Sequence, residues 1–179
     1  MPATKPKPEQ AAKAKADTSP AQLSVGFVLL PHFTLLPFAA FIDALRLAAD
    51  VGDQSRQINC QWTVMGADLD EIVSSCGVNV RPWETFREQT EFAYIVLVGG
   101  LLHQGPIASK TVQDYLRLAA KQRVTLVGLC TGSFALIRAG LMSGRRCCVS
   151  WFHYQDLLAE FTDVIPVADR LYVDDGDRI

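Results

Sequence analysis

Three short runs of this chain carry no charge, and they restrict its fold more than any other feature. Ser24-Val-Gly-Phe-Val-Leu-Leu30, Phe92-Ala-Tyr-Ile-Val-Leu-Val98 and Val124-Thr-Leu-Val-Gly-Leu129 are apolar and rich in β-formers. A strand with one wet face alternates polar and apolar residues, whereas a continuous apolar run is covered on both faces. Gln61 to Met65 reads as a further strand, and Val73 to Val80 as a hairpin turning near Cys76-Gly77. Pro37 to Ala49 carries an apolar helical stripe, and a second helix spans about Ser109 to Gln122. The alternation predicts an α/β fold, a doubly wound parallel sheet with helices on both faces.

The third run ends at Gly128-Leu-Cys130-Thr-Gly132, a G-x-C-x-G turn between strand and helix. The helix then runs over Thr131 to Ala139, with Gly140 at its C′ position. Flanking glycines permit the sharp turn that lifts a nucleophile above the sheet edge, beside a backbone N–H suited to an oxyanion. A buried cysteine at an ordinary strand-to-helix turn is the plainer alternative.

Composition excludes several classes. The 179 residues are 49% hydrophobic and 20% charged with a net charge of −2, which shows no overall bias toward nucleic acid. Five cysteines, odd in number and without C-x-x-C spacing, argue against a disulfide framework and against a zinc cage. No metal or cofactor is implied. No apolar run reaches the roughly 18 to 20 residues of a membrane span, so no membrane partner is expected and the chain reads as a reduced cytoplasmic protein. Residues 1–22 are Pro/Ala/Lys-rich without aromatics, and are expected to be a disordered tail before a domain at 23–179.

Ligands of doubly wound sheets bind beyond the carboxyl ends of the strands. His32 follows the first strand, His103 follows the Gly99-Gly100 strand and Cys130 follows the third, so all three are expected on one edge. A single histidine there would be a plain loop residue; three groups on one edge suggest a pocket.

Ile95-Val-Leu-Val-Gly-Gly100, Val127-Gly-Leu-Cys-Thr-Gly-Ser133, Ala139-Gly-Leu-Met-Ser-Gly144-Arg-Arg and Trp151 occur in order at suitable spacings. Together with Ile42-Asp-Ala-Leu-Arg46 and Leu171 to Ile179, they make the chain resemble the DJ-1/PfpI branch of the class I glutamine amidotransferase-like superfamily. More narrowly, it is similar to the sensor domains of AraC-type transcription regulators. The resemblance implies a flavodoxin-like sandwich, frequent homodimers, and a pocket at Cys130 with Gly100 and Thr131 as backbone donors. Gly99, Leu101, His32, His103 and Ser150 complete the expected ligand-binding set. Relatives that respond to amino-acid derivatives or quaternary amines suggest such an effector, with Phe33, Phe38 or Trp151 as an aromatic wall or, more simply, as core.

Two departures stand beside the match. Hydrolytic relatives carry a histidine just before the tryptophan, where this chain has Ser150, and a hydroxyl cannot serve as a base near pH 7. Redox-active relatives set a glutamate against the cysteine from the start of the first helix; here that stretch is Thr34-Leu-Leu-Pro-Phe38. Asp43 lies two turns on and is expected to pair with Arg46. The preferred reading is therefore a non-enzymatic effector-sensing domain. The alternative is a cysteine-dependent amidase, hydratase or deglycase, with Cys130 as nucleophile and His153 or His103 as base. Leu171-Tyr-Val173 reads as a strand and Asp174 to Asp177 as its turn. In the family such a strand leads to a last helix and a DNA-binding domain, so the chain reads as a fragment whose DNA contact lies elsewhere.

Overall fold

The computed structural model describes residues 23–52, 54–104 and 108–179; residues 1–22, expected to form a disordered tail, lie outside them. Five parallel strands make the central sheet: β1 (Leu23–Leu29), β2 (Cys60–Gly66), β5 (Glu84–Thr85), β6 (Tyr94–Val98) and β7 (Thr125–Leu129), in the order β5-β2-β1-β6-β7. The pairs Phe27 with Val96 and Val96 with Val127 align the three uncharged runs side by side. Their side chains are buried on both faces, which is why the runs tolerate no charge. The expected α/β parallel architecture is the observed one, in a flavodoxin-like strand order.

Helix α1 (Leu35–Ala49) covers one face, where Phe38, Leu45 and Ala49 pack with Phe27, Val64 and Val96. Helices α2 (Lys110–Lys121) and α3 (Gly132–Arg138) cover the other, with Leu116 and Phe134 against Ile95, Leu97 and Leu126. Ser109 caps α2, its Oγ accepting from the Val112 N–H at 3.3 Å. The Asp43 and Arg46 pair forms at 2.7 Å within α1.

The hairpin also forms, from β3 (Ile72–Val73) and β4 (Asn79–Val80), with Gly77 at φ +88° in its turn. Four strands and helices escaped the sequence: β5, β8 (Arg146–Cys148), β9 (Ile165–Val167) and α4 (Tyr154–Glu160). The strands β8 and β9 pair with each other in a separate two-stranded sheet. They are three residues long, too short to show a period.

Leu171 to Val173 is not a strand, contrary to expectation; Leu171 and Tyr172 are largely exposed while Val173 is buried. The turn after it forms, with the Gly176 N–H donating to the Asp174 carboxylate at 2.8 Å. Strand character returns only at 177–179, beside β7. There the Leu126 N–H donates to the Asp177 carbonyl (3.1 Å) and the Gly128 N–H to the Ile179 carbonyl (2.8 Å). Among the described residues no helix is long and apolar enough to cross a membrane.

Candidate functional site

Cys130 has a φ of +54°, the left-handed region that non-glycine residues rarely occupy. Such strain persists only where the surroundings enforce it. Here the enforcement is a backbone packing with no room for side chains. A Cβ on Gly132 would stand 2.2 Å from the Leu97 carbonyl oxygen, and one on Gly100 would stand 1.6 Å from that of His32. The start of α3 thus rests directly on the end of β6. The G-x-C-x-G reading is a genuine elbow, and the cysteine is exposed at its tip.

Beside Ser133, whose hydroxyl donates to the Cys130 carbonyl at 3.4 Å, three hydroxyl residues near the elbow each stand at the start of a helix. Thr131, 3% exposed, precedes α3; its Oγ1 donates to the Gly100 carbonyl at 2.7 Å and does not cap the helix. Thr34 precedes α1 and likewise makes no cap bond. Its Oγ1 lies 3.4 Å from Cys130 Sγ. Ser150 precedes the short turn Trp151–His153, again without a cap bond, and is exposed. Among the described residues, Thr34 is the hydrogen-bond partner of the sulfur. At the start of α1 the group against the sulfur is thus a hydroxyl, a contact that sequence reading passed over because it looked there only for an acid.

The chain belongs to the DJ-1/PfpI family. The model of that family matches residues 27–179, which contain the elbow and every residue around it. The HTH-type transcriptional regulator GbdR of Pseudomonas aeruginosa is 29% identical over 158 residues, covering 87% of this chain and 41% of the regulator. The isonitrile hydratase of Pseudomonas putida is 33% identical over 156 residues, covering 87% of this chain and 63% of the enzyme. The chain therefore spans less than two thirds of the length of either. Among solved structures, an AraC family transcriptional regulator from Pseudomonas putida superposes with a TM-score of 0.70 at 24% identity, covering 87% of this chain and 81% of that one. Drosophila melanogaster DJ-1beta does so at 0.66 and 21%, covering 88% and 80%. These likenesses concern the fold.

Beside the elbow opens a cavity of about 450 Å³. Leu129, Phe134, Leu136, Met142 and Val149 line it with apolar surface, and Cys130, Thr131 and Ser150 supply polar groups. Trp151, His153 and residues 170–173 complete its lining. The other expected residues are elsewhere. Gly99 and Gly100 back the elbow through the close packing described above, and Leu101 is exposed. His32 serves by its backbone, its N–H donating to Val73 (2.8 Å) and its carbonyl accepting from Leu101 (3.2 Å). His103 lines a separate hollow with Leu102, Arg138 and Glu160. The carboxyl edge of the sheet does hold all three sequence features, but Cys130 and His103 line different hollows there. Phe33 and Phe38 are core residues in edge-to-face contact; of the three expected aromatics, Trp151 alone lines the cavity.

His153 pairs through Nδ1 with Asp156 at 2.8 Å, and its ring packs edge-on against Phe134 and Phe152. No hydrogen bond joins it to Cys130 among the described residues. Cys147 and Cys148 also line the cavity. Burial pushes both thiols up, with Ser133 working against it at Cys147. Cys148 Sγ donates to the Arg170 carbonyl at 3.1 Å. Among the described residues no group of three or more metal-binding side chains gathers.

Proposed function

We propose that residues 23–179 are the effector-sensing domain of an AraC-type transcription regulator, binding a small molecule in the cavity beside Cys130. The observation that carries this reading is an intact elbow whose sulfur has a hydroxyl, and neither a base nor an acid, as its hydrogen-bond partner among the described residues. A thiol beside Thr34 has a hydrogen-bond partner but no group that can take its proton near neutral pH. Cys130, Thr131 and Ser150 then act as ligand contacts, with Gly99, Gly100 and the His32 backbone holding them in place. The regulators among the relatives support the same reading.

Binding affects a second module only if two arrangements of the domain differ in affinity for the effector. The cavity wall at 170–173 continues through the Asp174 turn into the strand beside β7, which gives occupancy a route to the sheet edge. We assign DNA contact to another domain of the regulator and expect a homodimer. The five free cysteines suit a reducing cytoplasm.

A second reading has its own observation. The His153–Asp156 pair stands on the same cavity as Cys130, the parts of a cysteine hydrolase or hydratase with the base not yet engaged. The two readings separate in one experiment, incubation of the chain and of Cys130→Ser with isonitrile, amide and ester substrates. The sensor reading expects no turnover that depends on Cys130, together with ligand-induced thermal stabilisation in a small-molecule screen. Turnover abolished by Cys130→Ser would make the domain an enzyme.

A further inference from the structure

The cavity beside Cys130 is electrically one-sided. Its charged wall residues are Arg146 and Arg170, and among the described residues no aspartate or glutamate side chain lines it. Arg146 is anchored: its Nε donates to the Asp175 carboxylate at 2.8 Å, its backbone N–H to the same carboxylate at 2.9 Å, and its Nη2 to the Asp174 carbonyl at 3.0 Å. Arg170 differs. Its Nε meets Asp169 at 3.2 Å, a pair between sequence neighbours with both side chains more than half exposed. Pairs so exposed contribute little and exchange readily with water. The two terminal guanidinium nitrogens of Arg170 have no acceptor among the described residues. The Arg170 backbone is nonetheless fixed at the rim, because its carbonyl accepts from Cys148 Sγ.

We infer that the cavity takes a small organic carboxylate, its apolar body against Leu129, Phe134, Leu136 and Met142 and its carboxylate on the terminal nitrogens of Arg170. A guanidinium fork matches a carboxylate in geometry and charge, and its low hydration favours pairing at a rim. A ligand whose only charge is positive would find two arginines on the lining, with Asp169 and Asp175 already paired to them, and Trp151 and Tyr172 as its attraction. This assignment rests on the effector-site reading of the same cavity.

The test uses two probes of matched apolar body, 4-phenylbutyrate and 4-phenylbutylamine, titrated calorimetrically into the whole chain and into Arg170→Gln and Arg170→Glu. Protection of Cys130 from iodoacetamide is read in parallel. The acid is expected to bind at least about tenfold more tightly than the amine, and Arg170→Gln to weaken the acid by about tenfold. Arg170→Glu should reverse the preference, while both variants keep the thermal midpoint because the side chain is exposed. If both probes bind and protect Cys130 alike, and Arg170→Gln changes neither, the cavity is a ligand site and the carboxylate assignment is wrong. If neither probe binds nor protects Cys130, the cavity reading itself fails.

Discussion

The hydroxyl of Thr34 lies against the sulfur of Cys130 and leaves the first turn of its own helix without a side-chain cap. Threonine at a helix start ordinarily stabilises the exposed N–H groups there. Thr131 repeats the pattern, its hydroxyl turned to Gly100. Two caps have been diverted toward one elbow.

A contrast between two caps follows. Thr34→Val should change unfolding free energy by less than about 0.5 kcal/mol, because no cap bond is lost, whereas Ser109→Ala should cost about 1 kcal/mol. Chemical denaturation of both variants checks this. A Thr34→Val loss as large as that of Ser109→Ala would mean that the Thr34 hydroxyl caps α1 in solution.

The elbow itself should be intolerant of a single methyl group. Gly100→Ala places a Cβ into the His32 carbonyl, so it should cost more than about 3 kcal/mol or prevent folding. Gly77→Ala meets no neighbour and suffers only its positive φ, for about 1 kcal/mol. Equal effects in a denaturation series would contradict the packing described at β6 and α3.

Thiol labelling should divide the cysteines by exposure. Cys76 and Cys130 should react with iodoacetamide in the native protein, and the buried Cys60 and Cys147 should not. The Ser74 hydroxyl bonded to Cys76 lowers its thiol, so Ser74→Ala should move the midpoint of Cys76 labelling to higher pH. Peptide mass spectrometry across a pH series reads both results.

The Asp175 carboxyl is held below its ordinary value of 3.8, chiefly by the Arg146 side chain and then by the Arg146 backbone N–H. A carboxylate lowered by folding stabilises the protein above its unfolded value, and that stabilisation is lost as pH falls through the folded one. Wild-type thermal stability should therefore fall more steeply below about pH 4 than that of Asp175→Asn. Parallel acid limbs would show that the pair contributes nothing.

DNA binding by this chain should be weak, insensitive to sequence and lost as salt rises. Arg145 and Arg146 form its one basic doublet after residue 140, and both are committed to Asp177 and Asp175. Titration with the gene's upstream region at two salt concentrations checks this. Tight, selective binding would place a reading surface on these residues.

The sheet was legible because each of its long strands is buried on both faces, a condition that only uncharged runs such as Val124 to Leu129 satisfy. The elbow was legible because close backbone packing admits only glycine at 128 and 132. Less could be read where a contact depends on two distant segments of ordinary composition. Thr34 shows no sign in sequence of meeting a residue 96 positions away. Nor does anything around His103 reveal that it lines a different hollow from Cys130. The strand expected at 171–173 carries strand-forming residues, but the ladder partner it would need is already supplied at 177–179.

Because Gly99, Gly100 and Gly132 fix the elbow through main-chain contacts, the position of the sulfur does not depend on the side chains that face it. The hydroxyls at positions 34 and 150 can therefore be replaced without moving Cys130. A few side chains at the mouth of the cavity, and not the architecture, then decide what the sulfur meets.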